Sequence, residues 1–277
     1  MLEEKNIHFN DLQVSYLDEG SPTGFPLIFI HGFPFNKWMW EKQLIAIKEN
    51  YRLIAYDVRG HGETEAGTPT FSISQFADDL IALMDALHIE KAIVAGLSMG
   101  GYIALNAIKK YSDRFAGLIL CDTQCGADSA EGKEKRKKTI DFIKRNGLEV
   151  YAQESLKNLF APASLEGKMN EVLFIEETIL QSKADNICLT LQALADRMET
   201  CSSLKKIKVP VAILVGKEDK VTTSEIAEKL HELIKGSTLH IIDEAGHLSN
   251  LENPDSFNEY LLEFLKTNFG SQTSMSL

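Results

Sequence analysis

The chain has 277 residues, 44% of them hydrophobic and 25% charged, the balance of an ordinary globular protein long enough for one large α/β domain or one domain with an insertion. A chain of this length buries about 75% of its unfolded surface, so it needs no disulfide or metal staple. The net charge of -11 argues against nucleic acid or an anionic membrane as partner, and favours a small neutral substrate or one that the surface field need not attract. The four cysteines, Cys121, Cys125, Cys188 and Cys201, lack zinc-ligand spacing and contain no C-x-x-C, so four free thiols in a reducing compartment are expected. The N-terminus is acidic and has no apolar signal-peptide core, and the longest uncharged run, residues 92–108, is too short to span a membrane. These features predict a cytoplasmic protein.

In chain order, residues 7–17 alternate around Asn10-Asp11 and predict an antiparallel hairpin. The apolar run 27–30 predicts a buried strand ending in His31-Gly32-Phe33-Pro34, followed by helical spacing over 38–47 and a strand over 52–57. A glycine-rich loop, 58–70, leads to a helix with a capping box of Ser72 and Gln75 and a staple of Phe71 and Phe76. Residues 92–95 form the next buried strand, and Gly96-Leu97-Ser98-Met99-Gly100-Gly101 then turns it sharply into a helix over 102–110. After a strand at 115–120 the alternation stops. Residues 126–203 carry helical patterns, at 139–160, 170–182 and 186–198, with no convincing strand, which predicts an inserted cap. The charged run 132–138 at its start is expected to be a solvated helix face rather than an anion site. Strands at 209–216 and 237–242 and helices at 224–233 and from Pro254, N-capped by Asn253, complete the chain, with a frayed polar tail from Gly270. The predicted core is therefore 1–125 plus 204–277, a mostly parallel sheet covered by helices on both faces. In such sheets ligands bind beyond the carboxyl ends of the strands.

Ser98 stands at such an end, beside the free N–H groups of the next helix. A serine hydroxyl needs a base and the base an orienting acid. Of the seven histidines, His247 lies just past the last strand in a glycine-flexed loop, whereas His31 and His61 are expected to shape loops. Asp219 and Asp122, both at strand ends, compete for the role of acid. For a tetrahedral intermediate the donors would be the backbone N–H groups of Met99 and of Phe33, since Pro34 has none.

These motifs together resemble the α/β-hydrolase fold superfamily over residues 7–268. His31-Gly32-Phe33-Pro34 looks like its oxyanion motif and Asp57-Val58-Arg59-Gly60-His61-Gly62 like its following loop. Gly96 to Gly101 looks like its nucleophile elbow, Val215-Gly216-Lys217-Glu218-Asp219-Lys220-Val221 like its acid segment and Ala245-Gly246-His247 like its histidine loop. The resemblance implies about eight strands, a Ser98–Asp219–His247 triad and no metal or organic cofactor. The pattern is most similar to capped esterases, enol-lactonases and cofactor-free haloperoxidases; Thr223 departs from it where a proline is common. A serine nucleophile and the absence of a Gly-Pro-Gly oxyanion loop disfavour haloalkane dehalogenases, epoxide hydrolases and carbon–carbon hydrolases. The expected activity is hydrolysis of a small ester or lactone through an acyl-enzyme. Peracid formation and a non-catalytic receptor are the alternatives. Phe35, Trp38, Phe160 and Met198 are the expected pocket residues. The sequence sets no oligomeric state.

Overall fold

The protein is described by a computed structural model covering residues 2–68 and 71–270. The predicted tail from Gly270 onward falls almost wholly outside that range. Strands β1 (Glu4–Phe9) and β2 (Leu12–Gly20) form the expected hairpin, turning where Asn10 takes a positive φ of 52°. They are followed by β3 (Phe25–Ile30), a short 3-10 turn at Lys37–Trp40, α1 (Glu41–Ile47) and β4 (Tyr51–Tyr56). Next come α2 (Ile73–Ala86), β5 (Ala92–Leu97), α3 (Met99–Lys110) and β6 (Phe115–Cys121). The eight-stranded sheet is completed later in the chain by β7 (Val211–Gly216) and β8 (Thr238–Ile242), in the order β1-β2-β4-β3-β5-β6-β7-β8. The pairings of β1 with β2 and of β2 with β4 are antiparallel; all the others are parallel. The C-terminal ends of β3 to β8 therefore share one edge, where His31, Asp57, Ser98, Asp122, Lys217 and Asp243 follow their strands.

All six residues of β5 are buried, as a strand with helices on both faces requires. Ile93, Ala95 and Leu97 pack with Phe29, Trp40 and Phe257 on one face, and Ala92 and Val94 pack with Phe76, Leu80 and Ile103 on the other. Helix α2 begins as its sequence predicts. Ser72 Oγ accepts the Gln75 N–H at 3.0 Å, and the Phe71 and Phe76 rings meet edge-on with centroids 5.6 Å apart.

Between β6 and β7 the described residues form no strand but four α-helices, α4 (Ala130–Leu159), α5 (Pro162–Gly167), α6 (Met169–Gln181) and α7 (Ala184–Ala195), and a 3-10 turn at Cys201–Lys206. Helix α4 starts nine residues earlier than its hydrophobic spacing predicts, because Ser129 Oγ accepts the Gly132 N–H at 3.1 Å and caps a charged first arm. It bends at Gly147 (φ 80°, ψ -176°). Helix α7 ends at Ala195, three residues short of the expected end, which leaves Met198 outside it.

The expectation of four free thiols is corrected here. Cys125 and Cys201 form a disulfide with Cα atoms 4.9 Å apart, while Cys121 and Cys188 are free and buried. The two bonded cysteines are 76 positions apart, but β6 and β7 are neighbours in the sheet, so both ends of the helical excursion return to one place. The Thr200 N–H donates to Cys125 O at 2.8 Å and Arg197 Nε to Gly126 O at 3.1 Å, closing the same neck. Among the described residues, no helix is long and apolar enough to cross a membrane. The chain ends in α8 (Ser224–Leu233), which precedes β8, then the unforeseen short α9 (Ser249–Glu252) and α10 (Pro254–Phe269), N-capped by Asn253.

Candidate active site

The turn from β5 into α3 places Ser98 in a conformation (φ 52°, ψ -110°) that non-glycine residues rarely adopt and that costs about 1–3 kcal/mol. Packing enforces it: a Cβ on Gly100 would lie 2.2 Å from the Ile30 carbonyl oxygen, and one on Gly101 2.3 Å from Thr123 Oγ1. The Ser98 N–H donates to Cys121 O at 2.9 Å, and Thr123 Oγ1 donates to Ser98 O at 2.8 Å. The hydroxyl is left pointing away from the sheet edge.

There it meets His247, whose Nε2 lies 2.9 Å from Ser98 Oγ. His247 Nδ1 lies 2.7 Å from Asp219 Oδ2, which identifies Nδ1 as the protonated nitrogen and Nε2 as the acceptor. Asp219 is itself oriented. Its Oδ1 accepts the N–H groups of Val221 (2.7 Å) and Thr222 (2.9 Å), and its Oδ2 accepts the Thr222 hydroxyl at 2.8 Å. Asp122, the competing acid, faces elsewhere: its carboxylate accepts the Gly216 N–H at 2.8 Å and the Ser249 hydroxyl. The geometry thus brings Asp219, and not Asp122, to the imidazole.

Burial opposes protonation of His247, but Asp219, with Asp122 and Glu252 nearby, outweighs it and raises the imidazole above its ordinary value. Burial likewise opposes ionisation of Asp219, which His247 and the Thr222 donors overcome, holding the carboxyl below its ordinary value. For Asp122, burial and the nearby Asp219 charge act in the same direction and push its carboxyl well up.

A cavity of about 690 Å³ opens over these groups and is lined by Phe33, Ser98, Met99 and His247 on the sheet side. The Phe33 N–H has no protein acceptor among the described residues, and the Met99 N–H opens α3, where a helix leaves its first donors unpaired. The Phe33 loop is held from behind. His31 Nε2 accepts the Val58 N–H at 2.9 Å while its Nδ1 lies 2.7 Å from Gly32 O; burial pushes its pKa down to about 4, which keeps that acceptor neutral. The buried Lys37 gives both its N–H and its Nζ to Asp57, each at 2.7 Å. His61, pushed down to about 3 by burial and the neighbouring His31, packs against the His31 and Phe33 rings, so both histidines support the loop as expected.

The four expected pocket residues are not found in the cavity wall. Phe35 and Phe160 are buried in the core and Trp38 packs against that core, while Met198 is 76% exposed. The apolar wall is formed instead by Tyr102, Phe142, Tyr151, Leu159, Leu191 and Leu194. Their selection depends on how α4 packs on α6 and α7, which hydrophobic periodicity does not encode.

Glu252, which no sequence motif singled out, joins the histidine loop to the excursion. Its buried carboxylate accepts the N–H groups of Gly246 (2.9 Å) and Leu248 (3.3 Å), and also that of Ala161 (2.8 Å) just beyond α4. The His247 N–H in turn donates to Leu159 O at 2.8 Å. Among the described residues, no cluster of three or more His, Cys, Asp or Glu side chains is arranged to hold a metal ion.

A family model described as alpha/beta hydrolase fold matches residues 26–254. The chain is 30% identical over 256 residues to a protein named 3-oxoadipate enol-lactonase 2 from Acinetobacter baylyi, covering 92% of this chain and 94% of that one. It is 28% identical over 270 residues to a putative non-heme chloroperoxidase from Synechocystis, covering 92% and 95% of the two chains. In structure it superposes on a thermophilic esterase from Thermogutta terrifontis, solved with malate bound, with a TM-score of 0.90 at 30% identity over 96% of this chain and 98% of that one. With the sheet order, the strained serine turn and this match across most of its length, the chain belongs to the α/β-hydrolase fold family.

Proposed function

We propose that the protein is a serine hydrolase that cleaves small carboxylic esters or lactones through an acyl-enzyme on Ser98. The observation that carries this reading is the unbroken chain Ser98 Oγ–His247–Asp219, at 2.9 and 2.7 Å, opening into a cavity large enough for a small molecule. His247 Nε2 takes the hydroxyl proton as Ser98 Oγ bonds to the substrate carbonyl carbon, and the carbonyl oxygen becomes an oxyanion held by the Phe33 and Met99 N–H groups. Collapse of this intermediate expels the alkoxide, which takes the proton from His247. Water, deprotonated by His247, then attacks the acyl-enzyme; as the acid leaves, Ser98 Oγ takes that proton back from His247 and the resting site is restored. Asp219 keeps the imidazole in the required tautomer and balances its transient charge. Residues 126–203 act as the cap that closes the cavity. The similarity to an enol-lactonase and to an esterase supports esters and lactones as the substrate class.

The test is covalent labelling with a fluorophosphonate, combined with a panel of esters and lactones of graded acyl length. Labelling at Ser98 that is lost in Ser98→Ala, together with turnover, is the expected result. A folded protein that neither labels nor turns over any of these substrates would be a receptor and would sink the proposal. The similarity to a chloroperoxidase supports a second reading, in which hydrogen peroxide replaces water and releases a peracid. Halide oxidation in acetate buffer with peroxide, abolished by Ser98→Ala, distinguishes it.

A further inference from the structure

The wall that α4 gives to the cavity is not neutral. Helix α4 bends at Gly147, so its two arms both face the cavity: Lys135, Lys138, Thr139 and Phe142 from the first arm, Tyr151 and Ser155 from the second. The first four follow the i, i+3, i+4, i+7 spacing of a single helix face, which sets Lys135 and Lys138 side by side above the site.

The other charges in this wall are already matched. Asp128 is gripped by Arg136 and by Arg197, whose guanidinium also lies 4.4 Å from the Tyr102 ring centroid. Glu154 pairs with Lys157 at 2.8 Å. Lys135 and Lys138 form no ion pair among the described residues. The cavity thus carries two uncompensated cations in a protein whose net charge is -11. An anion approaching such a protein is repelled by its overall field, so local cations at the mouth of the site are what would admit and orient one.

We propose that Lys135 and Lys138 form a carboxylate subsite, and that the preferred substrate is an ester or lactone bearing a free carboxylate several bonds from its reactive carbonyl. This rests on the serine-hydrolase reading above and names the substrate class of the same site. The carboxylate accepts hydrogen bonds from the two ammonium groups under α4 while the carbonyl lies between Ser98 and the Phe33 and Met99 N–H groups. The interaction orients the substrate without entering the reaction, so it lowers KM more than it changes kcat.

The experiment compares monomethyl half-esters of dicarboxylic acids with the methyl esters of monocarboxylic acids of equal chain length. Wild type is expected to favour the half-ester. In Lys135→Gln/Lys138→Gln, kcat/KM for the half-ester falls by about 3- to 10-fold, mainly through KM, the size expected of two solvent-accessible ion pairs. The neutral ester changes by less than about twofold, and added salt reproduces the selective loss by screening. Both lysines are exposed, so the double variant should keep its melting temperature and the comparison stays interpretable. Hydrolysis of both esters with equal kcat/KM, or an equal loss on both in the double variant, overturns the subsite while leaving the hydrolase reading standing. No turnover of either ester, with Ser98 unlabelled, overturns both.

Discussion

At the scale of single residues, the site is a set of carboxylates given different work by their hydrogen-bond partners. Asp219 is ionised and tied to the imidazole, whereas Asp122 is tied to Gly216 and Ser249. By analogy with other triads, Ser98→Ala or His247→Ala should lower kcat on the order of 10⁶-fold and Asp219→Asn roughly 10⁴-fold. Asp122→Asn should cost about tenfold or less, because its partners are structural. A dead Asp122→Asn beside a near-normal Asp219→Asn would reverse that assignment. The proposed reaction needs neutral His247, and the fold raises its pKa, so the inactive imidazolium would persist to higher pH than for a free histidine. The acid limb of the pH–kcat/KM profile is therefore expected above the ordinary histidine value of about 6.5. The acidic groups facing His247 are Asp219, Asp122 and Glu252, and burial pushes the carboxyls of Asp122 and Glu252 up from their ordinary value. Glu252→Gln removes the charge that Glu252 carries when ionised and should move that limb to lower pH. It should also lower kcat, because the isosteric amide cannot accept from Gly246, Leu248 and Ala161 together. An unmoved acid limb in a folded Glu252→Gln protein would show that Glu252 only supports the loop.

At the scale of elements, two features hold the helical excursion in register with the sheet. The Cys125–Cys201 disulfide closes its neck across a sequence separation of 76. Loop-closure entropy sets an upper bound of about 4.5 kcal/mol on its stabilisation, and the backbone bonds at the same neck should leave the reduced form folded. Cys125→Ser is thus expected to lower the melting temperature of the oxidised protein without unfolding it at 25 °C, as differential scanning calorimetry would record. The second feature is the bend at Gly147, whose φ of 80° and ψ of -176° are essentially restricted to glycine. Nothing crowds a Cβ there, so Gly147→Ala costs backbone strain alone, about 1–3 kcal/mol. Because that strain is relieved by straightening α4, the variant should lose substrate affinity as its two arms cease to face one cavity. A KM unchanged from wild type would argue against the bend shaping the pocket.

For the molecule as a whole, topology places the chemistry. The parallel order β4-β3-β5-β6-β7-β8 gathers the ends of six strands on one edge, and residues from segments far apart in the chain meet over Ser98. The overall charge acts on this site only through its long-range field, which does not steer a neutral solute. Turnover of a neutral ester should accordingly change less than about twofold from low to high salt, in contrast to the carboxylate-bearing esters.

The features legible from sequence are those set by near neighbours. The short apolar runs, the glycines around Ser98, the Ser72 cap and the loop positions of His31, Asp219 and His247 follow from steric and hydrogen-bonding rules spanning a few residues. They sufficed for the sheet, for the sharp turn at Ser98 and for picking out His247, which the fold brings to 2.9 Å from Ser98 Oγ. Other features needed the folded chain because they depend on contacts between distant segments. Asp219 and Asp122 are equivalent strand-end aspartates until the loop geometry aims one of them at His247. Cys125 and Cys201 become neighbours only because β6 pairs with β7. Phe35 and Phe160 are apolar residues of the expected kind, but core packing claimed them, and the fold of α4 gave the cavity Phe142, Tyr151 and a charged rim instead. Local chemistry marks where a strand ends and what stands there; close packing of the whole chain selects which of those groups touch.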